Sequence, residues 1–337
     1  MTTRVRSAGL TLILAFALGA CATPYVQVPL TPPADFAGPR LQPGAVVVQD
    51  GGRLLMTAWL PDQEPWAVIV ALHGMNDSRA SYRLAGPWWA ERGIATYAYD
   101  QRGFGQSPGR GEWAGALMLE DLRTVVALVR ARHPNAVIAV AGESMGGAVS
   151  IAAFSSERPP AADRLILLAP AVWGWSSQAP LNRASLWFAA RTLGDRSVEA
   201  PEWAVRAIAA SDNWAELIRT GRDPDAIIAT RFDTLSGLVD LMETASLNLG
   251  NTGAPTLLLY GAHDQIVEVP AMRLALQRAG TPSNLRTGYC ADGWHILNRD
   301  LQAETVFRDV EGFLRDPAAA LLSGAPPVLP ALQTRGR

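Results

Sequence analysis

Short apolar runs alternate with longer amphipathic stretches along most of the chain. Six of these runs have the length and composition of buried strands. They cover residues 54–60, 68–72, 96–99, 137–141, 165–168 and 256–260. Helical patterns separate most of them, as between residues 115 and 132. This alternation predicts an α/β fold in which helices cover both faces of a mostly parallel sheet.

The alternation lapses between residue 171 and about residue 249, where the pattern is helical. We interpret this stretch as an insertion that follows a strand. It contains five tryptophans, Trp173, Trp175, Trp187, Trp203 and Trp214. Ordinary packing accounts for tryptophans of this kind, but the same aromatic rings on an apolar insertion would also provide a wall for an apolar ligand.

The first twenty residues have the composition of a secretory signal. Arg4 and Arg6 precede an apolar run at residues 10–18. Because a bilayer core is about 30 Å thick, a run of this length is too short to span it. Residues 1–20 are therefore predicted to be a signal peptide.

The remaining chain divides into three parts. Residues 21–45 are rich in proline and have little periodicity, so we expect an extended tether. Residues 316–337 also contain several prolines and are predicted to be a disordered tail. Residues 46–315 are left as one domain. With a formal net charge of −2, the chain has no excess of positive charge for binding nucleic acid.

The motif Gly142-Glu143-Ser144-Met145-Gly146 lies between a strand-like run and a helix of small residues. Glycines two positions before and after Ser144 allow a sharp turn that presents its hydroxyl at the end of a strand. This pattern predicts a nucleophilic serine. The alternative is a glycine-rich turn with a solvated serine.

A serine nucleophile needs a base, and the base needs an orienting acid. Four histidines are available, at His73, His133, His263 and His295. In α/β-hydrolases the chain order is serine, acid, histidine, and Asp264 followed by His295 satisfies this order. We therefore predict His295 as the base and Asp264 as its acid, with Asp292 and Glu268 as rival acids.

The oxyanion of the reaction needs backbone N–H donors. We expect one from Met145, directly after the serine, and one from Met75 in the loop after an early strand. The loop residues Asn76, Asp77 and Ser78 are also typical caps of the helix that follows. Both interpretations of this loop are compatible.

These motifs together resemble the α/β-hydrolase superfamily, and within it the monoacylglycerol lipase and lysophospholipase group, which is often called serine aminopeptidase-like. The resemblance rests on collinear segments at residues 73–78, 100–107, 142–147, 261–264 and 293–297. It implies hydrolysis of acylglycerol-like or other carboxylic esters without a metal or organic cofactor. It also implies that the helical insertion is a lid placed after the sixth strand of the fold.

Leu18-Gly19-Ala20-Cys21 resembles the lipobox of bacterial lipoproteins, in which the cysteine is lipidated. The resemblance implies a protein anchored at Cys21 in the cell envelope. Ala22 after the cysteine is consistent with the outer membrane, facing the periplasm. The alternative is ordinary cleavage after Ala20 with an incidental cysteine.

The expected function is therefore a lipid-anchored serine hydrolase that forms an acyl-enzyme on Ser144. Its substrate would be a small-molecule or lipid ester. Two alternatives stay open from the sequence. One is an acyltransferase that uses the same three residues, and the other is a non-catalytic binding lipoprotein.

Overall fold

The computed structural model describes residues 23–334, and its centre is a nine-stranded sheet. The sheet has the order β1-β2-β3-β5-β4-β6-β7-β10-β11. Its strands are β1 (Arg40–Gln42), β2 (Ala45–Val47), β3 (Arg53–Trp59), β4 (Ala67–Leu72), β5 (Ile94–Tyr99), β6 (Val137–Glu143), β7 (Arg164–Leu168), β10 (Thr256–Gly261) and β11 (Leu285–Cys290). Two further strands, β8 (Ser197–Glu199) and β9 (Ala229–Arg231), form a separate antiparallel pair.

The six strands from β5 to β11 in the sheet order are parallel, whereas β1, β2 and β3 pair in antiparallel fashion at one edge. The helices are α1 (Ala85–Ala90), α2 (Ala116–Arg132), α3 (Met145–Phe154), α4 (Pro180–Thr192), α5 (Glu202–Ala207), α6 (Trp214–Gly221), α7 (Phe232–Asn248), α8 (Val269–Ala279), α9 (Ala303–Arg315) and α10 (Val328–Thr334).

Helices cover both faces of the sheet, so its central strands are largely apolar, and β4 is apolar at every position. In β4 all six residues are buried, and their side chains alternate between two cores. Val68 and Val70 belong to the core that contains α2, α3, α7 and α8, whereas Ile69 belongs to the core that contains α1 and α9. A strand buried on both faces reads as a continuous apolar run, which is why the sequence reveals it.

The predicted α/β-hydrolase fold is confirmed. The six predicted runs correspond to β3, β4, β5, β6, β7 and β10. The insertion between β7 and β10 carries α4 to α7 and the pair β8–β9. It follows the seventh strand of this chain because the short hairpin β1–β2 precedes the strands that the pattern revealed.

The N-terminal segment differs from the expected free tether. The Gln27 side chain donates hydrogen bonds to the carbonyl oxygens of Gly109 and Glu112, at 3.1 and 2.9 Å. The Leu30 N–H donates to Asp50, and residues 40–42 pair as β1. The segment therefore lies on the domain, because its polar groups find partners there. The predicted signal peptide and Cys21 lie outside the described residues.

The predicted disordered tail also contacts the domain, as far as Leu332. The Tyr289 N–H donates to the carbonyl of Pro326, and Val328 and Leu332 of α10 are buried. Val328 and Leu332 are four positions apart, so both face the same side of the helix and cover the core. Within residues 23–334, no helix is long and apolar enough to span a membrane.

Candidate active site

Ser144 lies at a strained turn between β6 and α3. Its φ of 50° and ψ of −114° are rare for a residue with a side chain, and such strain is characteristic of functional sites. A Cβ added at Gly142 would approach the Gly146 carbonyl oxygen to 2.4 Å, and one at Gly146 would approach the Leu72 oxygen to 2.5 Å. Both flanking glycines are therefore required by the close packing of the turn.

The structure brings Ser144, His295 and Asp264 together in one hydrogen-bonded chain. His295 Nε2 is 2.9 Å from Ser144 Oγ, and His295 Nδ1 is 2.9 Å from Asp264 Oδ2. The side chain of Asp264 is fully buried, and Ser144 and His295 are 8% and 5% exposed. With its Nδ1–H donating to the carboxylate, the ring has Nε2 free to accept the serine proton.

The environment raises the pKa of His295 above its ordinary value. Burial disfavours the charged imidazole, but the negative charge of Asp264 and its hydrogen bond outweigh that effect. Asp264 is itself fixed by its loop, since Oδ1 accepts the N–H groups of Ile266 and Val267 at 2.8 and 2.9 Å. A histidine in this setting is able to take a proton from Ser144 and hold it.

The rival residues lie elsewhere. Asp292 and Glu268 are exposed, and Asp264 is the carboxylate that contacts His295. His263 is exposed and stacks on Trp294, and His133 forms a hydrogen bond with the Tyr97 hydroxyl. His73 is buried, and its Nε2 accepts the Gln101 N–H at 3.0 Å. These contacts give the three other histidines structural roles.

The loop that carries Met75 packs against the turn that carries Ser144. A Cβ added at Gly74 would lie 3.3 Å from the Cβ of Ser144, so only a residue without a side chain approaches this closely with ease. Asn76 has a φ of 62°, a conformation that asparagine tolerates. Met145 is the first residue of α3, where N–H groups have no partner within the helix. Both predicted oxyanion donors therefore lie beside the serine.

The insertion covers this site through backbone contacts to two of its loops. The N–H groups of His295 and Ile296 donate to the Ala210 oxygen, at 3.0 and 3.1 Å. The Ile227 N–H donates to the Asn76 oxygen at 2.9 Å. The insertion thus contacts the histidine loop and the Met75 loop at once.

A buried ion cluster joins three of the site's loops, and sequence reasoning missed it. Arg299 is 1% exposed, and its two terminal nitrogens lie 2.8 Å from Asp77 and 2.6 Å from Glu143. Burial raises the pKa of the Glu143 carboxyl despite the neighbouring guanidinium. Asp77 follows Met75 by two positions, Glu143 precedes Ser144, and Arg299 follows His295 by four. Arg299 therefore links the Met75 loop, the serine turn and the histidine loop.

Replacing Arg299 by methionine should be strongly destabilising, because it leaves two buried carboxylates without their cation. We expect the free energy of unfolding to fall by about 3–5 kcal/mol, the range for breaking a buried ion pair. Urea denaturation of the variant measures it. The matched control is Arg308→Met, which removes an exposed pair with Glu304 and should cost less than about 1 kcal/mol. Equal losses in the two variants would contradict the role of the cluster.

Cys290 has no catalytic assignment. Burial raises the pKa of the Cys290 thiol to about 12, so this cysteine is a poor nucleophile. Within the described chain, no group of three or more histidine, cysteine or carboxylate side chains is arranged to hold a metal ion.

Comparison with known proteins supplies the family. The sequence pattern of the family described as serine aminopeptidase, S33, matches residues 63–302. The monoacylglycerol lipase of Mycolicibacterium smegmatis is 27% identical over 244 residues, which is 68% of this chain and 82% of that protein. The monoglyceride lipase of Mus musculus is 24% identical over 288 residues, which is 84% of this chain and 93% of that protein.

A solved structure has the same fold at low identity. The soluble variant of monoglyceride lipase from Saccharomyces cerevisiae, in complex with a substrate analogue, superposes with a TM-score of 0.65 at 15% identity. It covers 87% of this chain and 100% of its own. The family match spans more than half of the chain, including the serine, acid and histidine of the site. The chain therefore belongs to the serine aminopeptidase family of α/β-hydrolases.

Proposed function

We propose that the protein hydrolyses the ester bond of lipids with one acyl chain, such as monoacylglycerols or lysophospholipids, through an acyl-enzyme on Ser144. Its family and its lipase and esterase relatives make it a carboxylic ester hydrolase. The observation that carries the mechanism is the unbroken hydrogen-bonded chain from Ser144 through His295 to Asp264. The preference for lipids with one acyl chain rests on the monoacylglycerol lipase relatives.

In the first half of the reaction, Ser144 Oγ attacks the ester carbonyl while its proton moves to His295 Nε2. Asp264 holds the opposite side of the ring and stabilises the imidazolium. The N–H groups of Met75 and Met145 stabilise the negative oxygen of the tetrahedral intermediate. His295 then gives its proton to the departing alcohol, which leaves an acyl group on the serine.

In the second half, water takes the place of the alcohol. His295 accepts a proton from the water as its oxygen attacks the acyl carbonyl, and then returns that proton to Ser144 Oγ as the carboxylic acid leaves. The cover that the insertion forms over the histidine loop and the Met75 loop supports a site that restricts bulk water. An alcohol that replaced water in this step would make the protein an acyltransferase.

A substrate panel tests the proposal. Rates are compared for a monoacylglycerol, a lysophospholipid, a triacylglycerol, nitrophenyl esters of rising acyl length and an aminoacyl anilide. We expect kcat/KM to be highest on the lipids with one acyl chain. Highest activity on the anilide would make the protein a peptidase instead. Dominant ester formation when glycerol is added would identify it as an acyltransferase.

We also propose that Cys21 is lipidated and that the protein is anchored in the bacterial cell envelope, at the outer membrane. The support is the sequence before it, with Arg4, Arg6 and the apolar run at residues 10–18. Mass spectrometry of the mature N-terminus tests this. An unmodified Cys21 on the processed protein would rule the anchor out.

A further inference from the structure

The segment of the insertion at residues 209–213 is bound closely to the loop that carries the base. The Ala210 oxygen accepts the His295 N–H at 3.0 Å, and the Asn213 side chain donates to the Arg299 oxygen at 2.9 Å. A cover that only closes over a site needs contact with the rim of that site. Hydrogen bonds to the backbone of the base itself also restrict where the base can lie.

The same segment also reaches the loop that carries the acid. The Ala209 N–H donates to the Gln265 side chain at 2.9 Å, and Gln265 directly follows Asp264 in the chain. At the far end of the histidine loop, the Leu301 N–H donates to Asp212 at 2.9 Å. One short stretch of the insertion therefore contacts both loops whose relative position sets the distance between acid and base.

A buried carboxylate, Asp300, joins this segment to the histidine loop. Its Oδ1 accepts the Ser211 hydroxyl at 2.5 Å, and its Oδ2 accepts the Trp294 N–H at 2.7 Å. Asp300 is 3% exposed and Ser211 is 1% exposed. Hydrogen bonds to an ionised group are stronger than neutral ones, and at a buried site they are costly to lose. Asp300 thus connects the insertion to the residue directly before the base.

The surroundings of Asp300 make its charge sensitive to pH. Burial raises the pKa of this carboxyl to about 6, although its two hydrogen bonds oppose the rise. The charges of Asp212 on the insertion and Glu143 at the serine turn raise the pKa further. The Cys290 thiol also interacts with Asp300, but it is neutral because its own pKa is about 12. Asp300 therefore gains a proton close to pH 6, and a neutral carboxyl group holds the Trp294 N–H less firmly.

We propose that Asp300 and Ser211 are positioning residues of the reaction, through which the insertion holds His295 at the distance from Ser144 that proton transfer needs. The proposal rests on the proposed role of His295 as the base. Both residues act through the backbone of the histidine loop, because Asp300 fixes the N–H of Trp294. A misplacement of the reacting groups by about 1 Å is enough to slow a reaction by about 100-fold.

Asp300→Ala removes both hydrogen bonds and tests the positioning. We expect kcat on a soluble ester to fall roughly 10- to 100-fold while KM changes less than about twofold, because the base is misplaced and the substrate contacts remain. Asp300→Asn keeps an oxygen for the Trp294 N–H and an amide for Ser211, so it should restore part of this kcat. An unchanged kcat in Asp300→Ala would overturn the proposal.

The matched control is Thr234→Val, in α7 of the insertion. Thr234 is 1% exposed, and its hydroxyl donates to the Gly111 oxygen at 2.9 Å, away from the histidine loop. The variant therefore also removes a buried hydrogen bond between the insertion and the domain. We expect it to retain most of kcat. A loss equal to that of Asp300→Ala would show that any loosening of the insertion has this effect, and would overturn the specific role of Asp300.

The pH profile of kcat/KM separates positioning from a general loss of structure. As the pH falls, wild-type activity should decline with one proton on His295, and more steeply below about pH 6 as Asp300 takes a second. Ser211→Ala removes a hydrogen bond that favours the charged carboxylate, so the pKa of Asp300 rises and the steeper decline should begin at higher pH. Asp300→Asn should follow one proton throughout. A one-proton profile in the wild type, or an identical profile in Ser211→Ala, would overturn the proposal.

A measurement without turnover distinguishes failure of this proposal from failure of the proposed reaction. The His295 Nδ1 proton, which lies between the ring and Asp264, should give a downfield ¹H resonance that is identified by its loss in Asp264→Ala. We expect this resonance to shift or broaden in Asp300→Ala and in Ser211→Ala, and to stay in place in Thr234→Val. An unchanged resonance in the first two variants would overturn the proposal. A wild-type protein inactive on every ester would refute the proposed reaction, while the resonance would still decide whether Asp300 positions the ring.

Discussion

Ser144→Ala is expected to lower kcat by about a millionfold, the loss found when the nucleophile of a serine hydrolase is removed. The variant should stay folded, because the hydroxyl that it loses is hydrogen-bonded to His295 within the active site. The loss is measured as kcat on a soluble ester, and thermal unfolding of the variant checks that it is folded. The variant should also fail to react with a fluorophosphonate probe.

The control for this variant is Ser150→Ala, in α3, six residues further along the chain. Ser150 is buried and donates to the Gly146 oxygen at 2.7 Å, so its loss perturbs α3 without touching the reacting atoms. We expect it to retain most activity. Substantial turnover by the Ser144 variant would show that another group performs the attack.

The sequence is informative about the site because of where its residues lie in the fold. Ser144 directly follows β6, and Asp264 lies in the loop after β10, and the carboxyl ends of these two buried parallel strands lie at one edge of the sheet. The runs that reveal these strands are continuous because both faces of the sheet are covered. The prediction of His295 as the base comes from chain order, because it is the histidine that comes after the acid in the sequence.

Three other features of the structure leave no local pattern in the sequence from which they could be predicted. Arg299, Asp77 and Glu143 look like separate charges along the chain, and their burial arises only when three loops meet. The docking of Gln27 on a loop backbone leaves no periodic pattern either. The C-terminal helix was missed because prolines surround the buried pair Val328 and Leu332. In each case tertiary contacts, and not local pattern, determine the structure.

Asp264→Asn is expected to slow the reaction by up to about 10⁴-fold while leaving the fold intact, because an amide favours the wrong tautomer of His295. Its effect on pH dependence has a definite sign. The carboxylate charge counteracts burial and holds the pKa of His295 above its ordinary value. The reaction needs the neutral ring, so wild-type activity rises with pH as the proton leaves.

Without the carboxylate charge, the pKa of His295 falls, and the rise in activity should move to lower pH even though the plateau is lower. A pH profile of kcat/KM measures both changes, because it reports groups of the free enzyme. Asp292→Asn is the matched control, since Asp292 is exposed in the histidine loop. It should alter neither the plateau nor the position of the profile. If the Asp292 variant were the slow one, or if the Asp264 profile moved to higher pH, then Asp264 would not be the residue that orients the base.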